Sequence, residues 1–257
     1  VSETLTVTHS QRDITELLTI HGLAPRRSFG QNFVCDPNTV RRIARMANVG
    51  PTDHVIEIGA GLGSLTLALA ETGARITAIE IDHGIAPVLS DVVKHVDNVN
   101  VIVGDALELD WSTLIAPGSS AVVVANLPYN VSVPVLLHLL EIFPTLNSGV
   151  VMVQAEVADR LAAKPGTKEY GIPSVKAAWW ADLQGAGSIS RSVFWPIPGV
   201  DSKLVSFTRH QPLGDEALRK KVFTLVDAAF AQRRKMLRSA LSSIYGSSGA
   251  AEKVLMQ

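Results

Sequence analysis

The sequence predicts an α/β protein: a doubly wound, mostly parallel sheet with a small helical unit at its C-terminal end. Three observations predict it. Short, apolar segments alternate with segments of helical spacing along residues 55–153, the pattern of a parallel sheet covered on both faces. A glycine loop, G-A-G-L-G (59–63), directly follows the first apolar segment. Of the 257 residues 47% are hydrophobic and 18% charged, enough apolar material for a sizeable core and too much for a disordered chain.

The elements follow in order. Residues 10–24 have helical spacing at Ile14, Leu17, Leu18 and Ile20, and Pro25 ends the run. R-R-S-F-G-Q-N-F-V (26–34) reads as a basic, amide-rich loop. Residues 37–48 read as a helix with Asp36 as N-cap and Pro37 in the first helical position. V-I-E-I (55–58) is a strand, 64–72 a helix closed by Gly73, and R-I-T-A-I-E-I-D (75–82) a second strand ending in acids. N-V-I-V-G-D (100–105) is a third strand, S-A-V-V-V-A-N (120–126) a fourth, 133–142 a helix and G-V-V-M-V (149–153) a fifth strand. Beyond these, 164–173 and F-W-P-I-P-G (194–199) read as loops, the latter because its prolines oppose regular structure. K-L-V-S-F-T-R (203–209) alternates like a strand, and 215–245 read as two helices around the basic run Q-R-R-K (232–235). Right-handed crossovers place ligands at the carboxyl ends of such strands.

Composition excludes several classes. A lone cysteine, Cys35, leaves no internal disulfide and no Cys-based zinc site, and reads as a small buried residue. No metal is expected. The most apolar stretch, 131–143, is broken by Pro134, His138 and Glu141 and falls short of a membrane span. The first ten residues lack the basic start and apolar stretch of a secretion signal, so a reducing, cytoplasmic setting is the expectation. The net charge is −1, but it is unevenly spread: residues 51–150 hold 2 basic against 11 acidic side chains, and 201–257 hold 10 against 5. A basic flank beside an acidic body suits a polyanion partner; it equally suits a solvated tail helix.

The glycine loop discriminates between cofactors. A dinucleotide fingerprint wants glycine at the first, third and sixth positions, here Gly59, Gly61 and Ser64, so a nicotinamide dehydrogenase is disfavoured. E-x-G-x-G-x-G (57–63) instead resembles the first motif of class I S-adenosylmethionine (SAM) methyltransferases, a Rossmann-like fold. Its glycines let backbone amides approach the amino-acid part of the ligand at a helix start. Two strand-end acids fit the same ligand: Glu80 to accept from the ribose hydroxyls, Asp105 to accept from the adenine amine.

N-L-P-Y (126–129), at the end of the fourth strand, resembles the motif of methyltransferases acting on exocyclic amines of nucleobases. Such an amine is a poor nucleophile because its lone pair is delocalised into the ring. The Asn126 side-chain oxygen and the Leu127 carbonyl can both accept from it, localise the pair and aim it at a sulfonium methyl. Pro128 fixes the turn, and Tyr129 offers a face for an unstacked base. Methylation of a ring carbon would call for a cysteine nucleophile, and Cys35 lies far upstream.

These motifs, with G-Q-N-F-V (30–34), Q-A-E-V-A-D-R-L (154–161), P-G-T-K-E-Y-G (165–171), V-F-W-P-I-P-G-V-D-S (193–202) and A-F-A-Q-R-R-K-M-L-R (229–238), occur in the order seen in ribosomal RNA adenine dimethyltransferases of KsgA type, and the match runs from about residue 20 to 245. The resemblance implies SAM-dependent dimethylation of two adjacent adenosines in a hairpin loop near the 3′ end of small-subunit rRNA, on a small-subunit precursor, by a monomer. It implies that Gln31, Asn32 and Val34 contact SAM from the N-terminal segment. Gly59 and Gly61 would hold its amino-acid end, Glu80 its ribose, Asp105 and Ala106 its adenine, and Asn126 both cofactor and target. Tyr129 and Phe194 would sandwich the target base, although Phe194 reads equally as core packing. Arg26, Arg27, Arg233, Arg234, Lys235 and Arg238 are the candidates for phosphate contacts. The chain divides into a catalytic domain (1–209) and a helical RNA-contact domain (210–257), which in the family usually continues further. Ala60 stands where many relatives have Pro, and Ala155 where Lys is common. Rival readings are a large-subunit rRNA dimethylase conferring antibiotic resistance, a non-catalytic ribosome-assembly factor on the same fold, and a small-molecule methyltransferase.

Overall fold

The computed structural model describes residues 8–26, 29–115, 119–232 and 234–257. Helix α1 (Gln11–Ile20) starts at a capping box: Ser10 Oγ accepts from the Asp13 N–H while the Asp13 carboxylate accepts from the Ser10 N–H. Strand β1 (Phe33–Val34) leads into α2 (Pro37–Ala47), where Asp36 caps the Thr39 N–H and Asn48 closes the helix in the left-handed region. The sheet region then runs β2 (His54–Ile58), α3 (Ser64–Ala70), β3 (Arg75–Glu80), α4 (Ile85–Val93), β4 (Val99–Val103), α5 (Trp111–Leu114), β5 (Ala121–Asn126), α6 (Ser132–Ile142) and β6 (Leu146–Gln154). After α7 (Ala155–Leu161) and α8 (Ile172–Ala177) come β7 (Ala181–Ile189), β8 (Phe194–Trp195) and β9 (Ser202–Arg209). The chain ends in α9 (Glu216–Ala231), α10 (Leu237–Ala240), α11 (Ser242–Tyr245) and α12 (Ser248–Leu255).

The sheet has the order β4-β3-β2-β5-β6-β9-β7. Its first five strands are parallel and β9 is antiparallel to both neighbours. Alternate residues separate into two cores, as a pleat requires. Ile56, Val123 and Val151 face one, with Leu136 of α6; Val55, Val124 and Val150 face the other, with Ile43 of α2 and Leu69 of α3. Each fully buried aliphatic side chain contributes about 1.5–3 kcal/mol. The strand order reverses at β2, because β3 and β4 extend one edge while β5 and β6 extend the other. At such a switch point the crossovers leave toward opposite faces and open a crevice at the carboxyl ends of β2 and β5.

The C-terminal helices are joined to this body through α9. Phe223 meets Trp179 and Trp180 edge-on, with Arg219 5.0 Å and Lys176 5.2 Å from its ring centroid. Several features depart from the sequence reading, among them β1 and the start of α8 inside expected loops and three helices rather than two within 215–245. Helix α4 and strand β7 were not expected: Pro87 in α4 and the two interior glycines of β7, Gly185 and Gly187, weaken each local signal, and β7 is held by its ladder with β9. Phe194 and Trp195 form a short strand on β1 before the prolines begin. Cys35 is half-buried, with Sγ 3.2 Å from the Val193 carbonyl.

Candidate active site

The crevice at the switch point is lined by four stretches of chain. β2 and its loop contribute Glu57, Gly59 and Gly61; β3 contributes Glu80; the turn after β5 contributes Asn126, Leu127, Pro128 and Tyr129. The segment 29–34, which includes Gln31, Asn32 and Val34, lines the same pocket. Glycines make this convergence possible. Gly59 has φ +71°, and a Cβ there would stand 3.2 Å from the Asn126 backbone oxygen. Gly61 has φ +57°, and a Cβ there would meet the Phe33 ring at 3.1 Å. Any other residue would be strained in backbone and crowded in space.

Glu80 is held where its strand ends. One carboxylate oxygen accepts from the Gly61 N–H at 2.7 Å and the other from the Asp82 N–H at 2.9 Å. Burial raises its pKa, and these two amides work against that. Asp82, 2% exposed, in turn accepts from Gln31 Nε2 at 2.7 Å and from the Gly84 N–H at 2.8 Å. Gln31 also accepts from the Arg26 N–H at 2.8 Å, so one end of its amide fastens the 29–34 segment onto the loop after β3 and the other closes the turn that begins at Arg26. His9, ahead of α1, is held to the glycine loop, with Nε2 2.9 Å from the Leu62 carbonyl.

Glu57 is the most unusual group. It is 1% exposed, and its Oε2, like the hydroxyls of Ser64 and Thr66, has no hydrogen-bond partner among the described residues. Burial pushes its carboxyl up to about 8; the nearby Thr66 hydroxyl works against this without a hydrogen bond of normal geometry, and Glu80 adds to it. The folded protein therefore keeps a proton that the unfolded chain releases above the ordinary value of 4.5. The stability this contributes is complete below that value and is lost as pH rises to about 8. Denaturation followed from pH 5 to pH 9 is expected to show falling stability, with a gentler slope in Glu57→Gln. The slope does not vanish, because Glu80 acts in the same direction. An unchanged slope would show that Glu57 is ionised in the fold.

At the β5 turn, Asn126 Nδ2 donates to the Asn32 carbonyl at 3.3 Å, and Asn32 Nδ2 donates to the Gly30 carbonyl at 3.1 Å. The first bond sets the Asn126 amide: its nitrogen is engaged and its oxygen is the end left to accept. The Leu127 side chain is buried and its N–H donates to the Met152 carbonyl at 3.1 Å. No hydrogen bond among the described residues uses the Leu127 carbonyl. The Tyr129 hydroxyl lies 2.8 Å from Ser202 Oγ, and burial raises the phenol pKa. A second cavity shares Gly30, Gln31, Asn32 and Tyr129 with the first, and Trp195 and Pro196 form part of its wall.

Other expected residues lie elsewhere. Phe194 is 2% exposed and belongs to the core with Val34, its partner across the β1–β8 ladder. Its ring packs inside that core and lines neither cavity. Strand alternation turns Phe194 inward and Trp195 to the opposite side. Asp105 follows β4 and accepts from the Leu107 N–H at 2.9 Å, while buried Ala106 accepts from Trp111 Nε1 at 3.2 Å; neither lines the crevice. Arg26 is ion-paired to Asp82 at 3.4 Å, and Arg238 to Glu252. Arg234 and Lys235 are exposed and pair with no acid among the described residues. Arg27 and Arg233 lie outside the described residues. The bracing role of Asp82 and the exposure of Trp195 to the second cavity have no signature in the sequence, since each depends on a partner 51 or more residues away.

Among the described residues no group of three His, Cys, Asp or Glu could hold a metal ion, and no helix is long and apolar enough to cross a membrane. Residues 22–256 match the family model described as ribosomal RNA adenine dimethylase. "Ribosomal RNA small subunit methyltransferase A" of Leifsonia xyli is 54% identical over 251 residues, 95% of this chain and 87% of that protein. The protein of the same description from Streptomyces coelicolor is also 54% identical, covering 95% and 86%. Among solved structures, the 23S rRNA methyltransferase ErmE has a TM-score of 0.68 at 26% identity, covering 83% of this chain and 85% of that one. A dimethyladenosine transferase from Plasmodium falciparum has a TM-score of 0.67 at 25% identity, covering 80% and 74%. With this fold, this crevice and these relatives, the chain belongs to the ribosomal RNA adenine dimethylase family.

Proposed function

We infer that this chain uses SAM to dimethylate exocyclic amines of two adjacent adenosines in small-subunit ribosomal RNA. The observation that carries this reading is the set of the Asn126 amide. With Nδ2 given to the Asn32 carbonyl, Oδ1 and the Leu127 carbonyl remain as two acceptors beside a pocket built of glycines and acids. The pocket suits SAM on its own terms: left-handed glycines leave backbone amides approachable, Glu80 is fixed to accept from a diol, and Glu57 carries an unpartnered oxygen. Bound SAM supplies a methyl group on a positively charged sulfur, activated for attack by a nitrogen lone pair.

The rest is done by the chain. Asn126 Oδ1 and the Leu127 carbonyl accept the two amine hydrogens, draw the lone pair out of conjugation and orient it. Pro128 fixes the turn that presents the carbonyl. The Tyr129 ring, anchored through its hydroxyl to Ser202, offers a plane for the purine. No group needs to remove a proton beforehand, because the amine becomes acidic once methylated; catalysis is alignment and electrostatics. Gly59, Gly61, Glu80, Asn32 and Val34 form the SAM contacts in this reading, with Gln31 holding their segment in place. Asp105 and Ala106 do not line the crevice itself; they follow β4, next to β3, and their assignment to the adenine end rests on the sequence resemblance.

Sequence favours the small subunit over the large: relatives so described are 54% identical, whereas the 23S enzyme is 26% identical. The substrate on this reading is a small-subunit precursor, met by a monomer in the cytoplasm, with the unit from residue 210 gripping the RNA. Arg234 and Lys235, exposed and without acidic partners among the described residues, are its phosphate contacts. Replacing both by Ala should weaken RNA-substrate binding and flatten its salt dependence, with SAM affinity unchanged in a titration; a parallel loss of SAM affinity would contradict their role. The function itself is tested by incubating the protein with labelled SAM and unmethylated small or large subunits, then mapping modified nucleosides by mass spectrometry. Two neighbouring dimethyladenosines near the 3′ end of the small-subunit RNA are expected. Label in large-subunit RNA, or at a ring carbon, would refute the reading.

A further inference from the structure

We propose that the second cavity is a nucleobase subsite in which the Trp195 indole stacks on the base next to the adenosine being methylated. The inference rests on the reading of the chain as an RNA methyltransferase and adds a residue and a substrate contact to it. The cavity adjoins the catalytic crevice through Asn32 and Tyr129 but is not lined by Asn126 or Leu127. A base whose amine is gripped by those two residues therefore lies at the crevice, and the cavity is left for a neighbour. Among the described residues no charged side chain lines it, a lining that suits a neutral heterocycle.

Trp195 is half-buried. It packs against the cluster that contains Phe33 and Leu62 and forms part of the cavity wall. Its Nε1 makes no hydrogen bond among the described residues, and neither do the side-chain amides of Asn130 and Gln154, which line the same cavity. An aromatic plane with free amide donors and acceptors around it is the chemistry that holds an unstacked base by face and edge. Phe194, by contrast, is enclosed in the core and does not line this cavity.

Two variants of the full chain separate stacking from packing. Trp195→Phe keeps an aromatic plane, whereas Trp195→Leu fills the apolar contact without one. With unmethylated small subunits, Trp195→Phe is expected to keep kcat/KM near that of the parent, and Trp195→Leu to lose about 10-fold or more, chiefly in KM, with SAM affinity unchanged. Equal activity in the two variants would overturn the proposal, and so would a matching loss of SAM affinity in Trp195→Leu. Fluorescence gives a second readout, because Trp111, Trp179 and Trp180 are only 6%, 5% and 4% exposed. An unmethylated hairpin RNA should quench the parent protein and not Trp195→Phe. A hairpin whose loop keeps one adenosine but is abasic on both sides of it should bind without the quench. Persistence of the quench would place Trp195 on the target base itself and refute the neighbour assignment. If the parent protein methylates no small-subunit RNA, the functional reading fails, and the quench still decides: present in the parent and lost in Trp195→Phe supports the subsite, absent from both overturns it.

Discussion

Asn126→Ala should lower single-turnover methyl transfer to small subunits by about 10³-fold, the scale of removing a preorganised polar group from a transition state. SAM should still bind measurably. The variant loses the acceptor that localises the amine lone pair, and it also loses the bond to the Asn32 carbonyl that ties the turn to the N-terminal segment. The second loss is structural and would appear as a lower melting temperature. The first is chemical and would appear only in the transfer step. Near-normal turnover in this variant would contradict the assignment of the turn as the amine-binding element.

The second large effect is expected at Glu80. Its carboxylate joins the glycine loop to the loop after β3 through the Gly61 and Asp82 amides, and in the functional reading it also accepts from the ribose. Glu80→Ala should weaken SAM binding by about 10²-fold, since hydrogen bonds to a charged group each contribute about 1.5–3 kcal/mol. It should also destabilise the fold, because two amide donors lose their partner. Glu80→Gln retains acceptor oxygen and should fall between the two. Titration calorimetry with SAM reads the first effect and thermal melting the second. Unchanged SAM affinity in Glu80→Ala would remove Glu80 from the cofactor site.

The parts of this molecule that could be read from sequence are those whose determinants are local. The five parallel strands announce themselves as short, mostly apolar runs, with β5 buried along almost its whole length and the edge strand β4 partly exposed. The left-handed glycines of 59–63 and the Asn126–Tyr129 turn are contiguous motifs whose chemistry follows from adjacent residues. Long-range pairing was not legible in the same way. Strand β7, with Gly185 and Gly187 in its interior, exists because β9 offers it a ladder. For Phe194 the sequence left stacking and core packing both open; its pairing with Val34 sets it in the core and leaves Trp195 facing the second cavity. Gln31 lines the crevice, and its amide is also engaged with Asp82 and with the Arg26 N–H, the first of these a partner 51 residues away that the sequence does not announce. Glu57 was visible as a motif acid, but its pKa of about 8 follows from complete burial inside β2, which only the packed sheet reveals.

The most direct test is a crystal structure with a bisubstrate ligand in which the N6 atom of adenosine is tethered to the SAM methyl position. The account predicts the remaining N6–H donating to Asn126 Oδ1 or to the Leu127 carbonyl at about 3.2 Å or less, the tether running from the other N6 position to the Gly59–Gly63 loop, the purine lying on the Tyr129 ring and the ribose of the SAM half on Glu80. An adenine bound with its amine away from that turn, or a SAM half seated outside the Gly59–Gly63 loop, would contradict it.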